Sequence, residues 1–513
     1  MDEVKKEEKK MDRRKYIKYV GAGAVVAAAA AAIGYGVSEL TKPPPPKPTT
    51  IVQTALKTET LPGTTIVRTE EKTVVTTVPT VTTITTALPM TSIRIRFPFD
   101  ITARLTYSFA WARWYNMYQA KYPEVKTSWE VVSWPQTHAK NLADTAAGTA
   151  PEVVFDGPQY CVTWYKPKLL ATPLNDFIDE LSEEEKKDFL AWDYVKEQLT
   201  WGGNIIELPT QIYPRIGMFR KDIFEALGLT PLDERPPKTI EEFLSILREI
   251  KRVSKGKNPF TGGPMYPMLI YHGPLGTMSL VSWYPIVYYY NGGKNPVFSD
   301  PFGKISFNND AVIRAYKEFW IPVVNEGLMV PEGLTDALDS TTRARFATGI
   351  AAISPLEHNG YIGIWEKAGL PPEKIGTYVP FCPTLTNSWD VLIPASVKDE
   401  DKKRAAWNFI KLGIFDHNCQ YSQMLEWNPG PLPVLESVHN KLMKESPERY
   451  GRFQKTALEV LRTPGFPLLN QHVYAPELDD TIAKMSQRIL VKGEPVESVV
   501  KEMEDEFNKK YFG

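Results

Sequence analysis

Asp156 and Gln159 stand just after the apolar run Val153-Val154-Phe155, and Tyr107 stands soon after the alternating run Ile93 to Phe97. A carboxylate, an amide and a phenol therefore gather beyond the ends of two short candidate strands. Carboxylates and amides suit the hydroxyl edges of a small polar molecule, and aromatic rings suit its C–H faces. Two carboxylates can also do chemistry: Asp156 and Glu357, brought about 5 to 9.5 Å apart across a cleft, would have the layout that cleaves a glycosidic bond. Other reactions lack residues. No Gly-x-Ser-x-Gly, no His-Glu-x-x-His and no phosphate-binding loop occurs. Cys161, Cys382 and Cys419 are odd in number and have no ligand-like spacing, which argues against a zinc site or a disulfide scaffold, and nothing in the sequence requires a metal or cofactor. A net charge of −1 leaves no basic field for nucleic acid.

The elements that must hold these residues are legible from periodicity. Ile93, Ile95 and Phe97 alternate with Arg94 and Arg96, and Val125, Thr127, Trp129 and Val131 alternate with polar residues, which predicts two strands each with one buried face. A helix is expected between them, over about 110–122. Ser133-Trp134-Pro135-Gln136 predicts an N-cap with Pro in the first turn, opening a helix that stops at Gly148. With residues 152–155 as a third strand, the order is βαβαβ, whose strand carboxyl ends form the ligand edge. Further on, Thr239 and Glu242 form a capping-box pattern before Ile240, Phe243, Leu244, Leu247 and Ile250 on one helical face. Val496, Val499, Val500, Met503 and Phe507 mark a last amphipathic helix. Between these lies Trp283-Tyr-Pro-Ile-Val-Tyr-Tyr-Tyr290. Three consecutive Tyr on a helix cannot share a face, so most of this stretch is core, with Trp283 kept as a candidate stacking ring.

The first ninety residues concern location. Arg13-Arg14-Lys15-Tyr16-Ile17-Lys18 precedes an Ala-rich apolar run over about 19–37, so positive charge holds the amino side in the cytoplasm and the rest is exported. The basic start resembles a twin-arginine export signal, and residues 1–40 are expected to be a signal or membrane anchor. Residues 41–92, with four prolines at 43–46 and abundant Thr, are expected to be a disordered stalk reaching on the order of 150 Å if fully extended. The remainder is too long for one compact core and suits two lobes beyond the membrane. In an exported chain, the 13 Trp and 24 Tyr favour a sugar-facing surface.

Short segments then meet a family. Asn141-Leu-Ala-Asp-Thr-Ala-Ala-Gly-Thr-Ala-Pro-Glu-Val-Val-Phe-Asp-Gly157 resembles the Ala-Gly-x-x-Pro-Asp-Val segment of extracellular solute-binding proteins of ABC sugar importers, relatives of maltose-binding protein, with Glu152 in place of the commoner Asp. Tyr122-Pro-Glu-Val125, Leu170 to Ile178, Met218 to Leu229, Asn291-Gly-Gly293, Phe346 to Ile353 and Ala405 to Ile410 continue the resemblance in the same order. It implies a periplasmic-binding-protein-like α/β fold of two hinged lobes, with 93–210 and 350–392 in lobe one and 211–349 and 393–513 in lobe two. It also implies reversible binding of a mono- or oligosaccharide in the cleft, delivery to an ABC permease, a monomer, and no enzyme activity. By the same resemblance Tyr213 follows a crossing point, Glu357 falls where relatives carry a Gly-x-Trp platform, and Trp389 and Trp427 are the best stacking rings. An exported surface glycoside hydrolase and a binding protein for a non-sugar solute are the alternatives.

Overall fold

The computed structural model describes residues 54–61, 64–71, 91–102, 106–166, 168–270, 278–334, 340–426, 430–463, 467–468 and 471–513. The expected signal or anchor segment lies outside them. Among the described residues no helix is long and apolar enough to cross a membrane. The chain divides into two compact units, residues 1–86 and 87–513. In the first, β1 (Thr54–Leu61) pairs antiparallel with β2 (Thr64–Glu71), from Thr54 opposite Glu71 to Leu61 opposite Thr64. These residues fall within the stretch expected to be a disordered stalk. Repeated Thr together with Leu56, Ile66 and Val67 favours a pleated backbone, and at these residues that preference wins.

The second unit starts with the expected βαβαβ run: β3 (Ser92–Phe97), α1 (Thr106–Lys121), β4 (Lys126–Val131), α2 (Trp134–Ala147) and β5 (Val153–Asp156). β3 lies in the middle, parallel to both β4 and β5. Gly148 closes α2 in the left-handed region at φ 76°, as a helix-stopping glycine should. Ser133 departs from the capping expectation. Its hydroxyl donates to Gln136 Oε1 (3.2 Å) and caps no backbone N–H. Arg96 departs too, since it is buried rather than on a polar face. Because α2 covers that face, Arg96 donates to Glu130 (2.6 Å), Asn141 (2.9 Å) and Asp144 (2.5 Å).

Two strands carry the chain between sheets. β6 (Leu208–Pro214) runs directly through Arg215 into β7 (Ile216–Arg220). The chain then builds α3 (Ile240–Ser254), β8 (Tyr266–Met268), α4 (Met278–Tyr290), β9 (Ala351–Glu357) and β10 (Ile375–Tyr378), and returns in β11 (Thr384–Leu392). After this come α5 (Glu400–Phe415), α6 (His417–Glu426), β12 (Leu432–Pro433), α7 (Arg452–Arg462), β13 (Pro467–Leu468), α8 (Ala475–Ser486) and α9 (Val496–Phe512). One sheet has the order β12-β6-β11-β5-β3-β4, with β13 beside β11. The other has the order β8-β9-β7-β10. α3 carries the predicted face, with Ile240, Phe243, Leu244, Leu247 and Ile250 buried, and Thr239 accepts from Glu242 N.

Strand pairing redraws the expected lobe boundaries. Residues 351–357 and 375–378, expected in lobe one, pair with β7 in the second sheet. Residues 400–415, expected in lobe two, pack on the first: Trp114 stacks on Phe409 with centroids 4.5 Å apart, Trp114 Nε1 donates to the Phe409 carbonyl, and Tyr118 donates to that of Ala405. α6 likewise lies against α1. Sequence order does not reveal this, because an apolar helix face fits either sheet.

Candidate functional site

The registers locate a crevice. Pro214 faces Thr386 where β6 leaves the first sheet, and Gly217 faces Tyr378 where β10 leaves the second, so segments 214–217 and 378–386 are the two crossings. Asp156, the last residue of β5, lies opposite Asp390 on β11, and Glu357, the last of β9, lies opposite Ile216 on β7. The turns after β5 and β9 therefore both project toward the crossings, one from each lobe. Strand pairs beside the crossings carry register shifts, between Ser388 and Asp390 on β11 and between Ser354 and Glu357 on β9. Such bulges re-aim side chains, here around Trp389.

Aromatic rings run across this region. Trp134, at the start of α2, meets Trp389 edge to face at 4.5 Å. Trp389 also meets Trp111 and Phe99, and packs with Ala110 and Tyr213. Tyr213 contacts the His358 ring at 4.8 Å, which contacts Tyr361 at 4.2 Å. On the lobe-one side Tyr160 stacks on His138 at 4.0 Å. Burial, and then the nearby Asp479 and Asp156 carboxylates, raise the Tyr160 hydroxyl pKa, which places α8 close to this ring. At the rim the lobes touch directly. Trp201 Nε1 donates to Gln471 Oε1 (2.8 Å) and its ring meets Phe302 at 5.7 Å.

Each candidate residue has a definite place. Asp156 is buried and accepts from His138 Nδ1, Trp164 Nε1 and Gly157 N, all at 2.8–2.9 Å, so its oxygens hold the scaffold. Glu357 forms a buried ion pair with Arg215 at 2.8 Å, joining the end of β9 to the crossing residue. Tyr213 lies opposite Asn387 on β11 and its hydroxyl accepts from Gln211 Nε2 (2.7 Å). Gln159 lies in the turn after β5, beside the Trp134 ring above Gly157. Trp389 is half-buried at the crossing. Trp283 is not at the crevice: it is fully buried against Tyr284 and Phe307, because the apolar α4 is enclosed. Trp427 and the Tyr107 side chain lie outside the described residues. Gln159, Tyr213, Glu357 and Trp389 are thus brought together around the crossings.

Several residues escaped the sequence reading. Trp134 was legible only as part of a helix start, and Tyr160 and Asn359 carried no signal. A further missed feature is the pair of fully buried carboxyls of Glu207 and Asp390. Both pKa values are raised, chiefly by burial and further by the neighbouring Asp156 carboxylate. Cys161, Cys382 and Cys419 are all free and buried. A separate open groove on lobe two, lined by Phe224, Leu232, Pro236 and Ile246 with a volume of about 380 Å³, lies at the far end of β7 from the crossings.

Comparison with known proteins agrees with this architecture. Residues 113–447 match the profile of a family described as bacterial extracellular solute-binding protein. No curated protein matches. Among solved structures, an ABC transporter solute-binding protein of Thermotoga lettingae bound to α-D-tagatose is similar at 18% identity and TM-score 0.65, over 82% of this chain and 100% of that one. A maltose-bound MalE3 of T. maritima is similar at 16% and 0.65, over 82% and 99%. An ABC substrate-binding protein of Listeria monocytogenes in complex with cycloalternan is similar at 14% and 0.64, over 82% and 98%. At such identities these likenesses speak for the fold, whereas the profile match covers more than half of the chain. With its two hinged α/β lobes and this match, the chain belongs to the bacterial extracellular solute-binding protein family.

Proposed function

We propose that the protein is the solute-binding component of an ABC importer, which closes on a carbohydrate between its lobes and delivers it unchanged to a membrane permease. The observation that carries this reading is the aromatic and amide surface at the two crossings, fed by turns from both lobes. Rings suit sugar faces and amides suit hydroxyls. Solved relatives bound to tagatose, maltose and cycloalternan support the same ligand class. The reading includes a monomer held outside the cell by the amino-terminal basic and apolar segment, exported by the twin-arginine route. A non-enzymatic role is favoured because Asp156 and Glu357, the pair weighed for glycoside hydrolysis, are held by His138, Trp164 and Arg215. The test is a thermal-unfolding screen of the full chain against maltose, D-tagatose and ribitol with product analysis. A bound sugar at a hundredfold excess over its Kd stabilises by about 2.7 kcal/mol. Hydrolysis of a probe would replace this reading with the glycosidase one.

A further inference from the structure

Two buried amides in the turns beside the crossings are left unsatisfied by the fold. Gln159 is 3% exposed and Asn359 0%. Gln159 lies close enough to the Tyr160 hydroxyl to influence its ionisation. Yet neither amide atom of Gln159 nor of Asn359 has a partner at hydrogen-bonding geometry. Folded proteins pair nearly all buried polar groups, because an unpaired one costs its full desolvation.

Their placement gives the exception a use. Gln159 follows β5 on the crossing side of lobe one, and Asn359 follows β9 on the crossing side of lobe two. Each adjoins an aromatic ring. Gln159 Oε1 and Trp134 Cη2 each lie 2.7 Å from where a Cβ on Gly157 would stand, and Asn359 follows His358, which packs on Tyr213. A neutral amide presents an acceptor and donors side by side, the complement of two adjacent hydroxyls, one donating and one accepting. Two amides on opposite walls match both edges of a polyhydroxylated molecule and carry no charge to balance an ion. In an open crevice water serves them. Closure expels that water, and a ligand lacking hydroxyls at either place leaves an amide unpaired.

We propose that Gln159 and Asn359 form an amide clamp, one jaw from each lobe, which selects neutral polyols and makes closure conditional on them. The clamp rests on the solute-binding reading above and names the residues that set its specificity. The test compares the full wild-type chain with Gln159→Met and Asn359→Leu, using maltose, D-tagatose and ribitol as neutral probes and gluconate as a charged one. Calorimetry gives affinities and ligand-free melting gives stability. Wild-type protein should prefer a neutral probe to gluconate. Each variant should bind that probe about tenfold more weakly or worse, with a ligand-free melting temperature equal to or above wild type. Equal affinity in wild type and variants overturns the clamp. So does weaker binding accompanied by a clear drop in ligand-free melting temperature, which marks the amides as scaffold. Preference for gluconate overturns the selectivity. Wild-type protein that binds no probe overturns the solute reading and the clamp together, a result distinct from binding that the variants match.

Discussion

Glu207 and Asp390 show how one pair of side chains sets a pH response. Both are carboxyls whose folded pKa values lie above their ordinary values, Asp390 at about 8, chiefly because of burial. The folded state then binds protons that the unfolded state has released, so their contribution to stability is complete at acidic pH and is lost as pH rises toward 8. The groups facing them are Asp156, Cys161 and Tyr194, with Ser388 bonded to Tyr194. Glu207→Gln keeps the size of the side chain but removes a titrating proton. Urea denaturation at pH 5 and pH 8 should show a smaller loss of stability in the variant; an unchanged loss would assign the pH dependence elsewhere. Asp144 and Asp222 act oppositely. Bonds from Lys140 and Arg96, and from Arg220, hold their pKa values low against burial, so their contribution is complete above the ordinary carboxylate pKa and is lost as pH falls through the lowered values. A second residue-scale expectation concerns Arg215→Met, which strands Glu357 inside the protein. Loss of one partner of a buried pair costs about 3–5 kcal/mol, so chemical denaturation should show a large loss that Glu357→Leu in the same chain partly restores.

At the scale of elements, local rules and tertiary context divide cleanly. The helix over 240–254 obeys the sequence: Thr239 accepts from Glu242 N at 3.1 Å and the expected apolar face is the buried one. Thr239→Ala should therefore cost about 1 kcal/mol. Gly148 has a φ of 76° and nothing within 4 Å of a Cβ placed on it. Gly148→Ala thus meets no clash, and equilibrium unfolding should report only the left-handed backbone penalty, about 1 kcal/mol. Arg96 marks where local reading stops. Period-two alternation identified its strand but not the helix that covers the second face, so a residue expected outward is buried among Glu130, Asn141 and Asp144. The same limit explains Trp283, whose aromatic neighbours indicate burial without indicating which surface they bury against. It explains Trp134 as well, legible as a helix start and not as a crevice ring.

For the whole molecule, closure is the property that matters. The rim contact of Trp201 with Gln471 and Phe302 joins lobe one to segments that lobe two holds through the Val473 N bond to the Pro301 carbonyl and the His472 bond to that of Gly303. Trp201→Ala should widen the ligand-free particle in small-angle scattering and weaken sugar binding several-fold, since part of the binding energy must then drive closure. An unchanged radius of gyration with unchanged affinity would deny the rim a role. By itself the sequence determined the βαβαβ start, the capped helix, the family resemblance and the strand ends from which Asp156 and Gln159 project, because these depend on neighbours a few residues apart. Only the tertiary structure decided which sheet receives 351–378 and 400–415, that Asp156 and Glu357 are held by scaffold partners, and that Gln159 and Asn359 are buried in the turns after β5 and β9. Those outcomes depend on pairing between segments hundreds of residues apart, and an apolar face or a lone amide carries no mark of the distant partner it will meet.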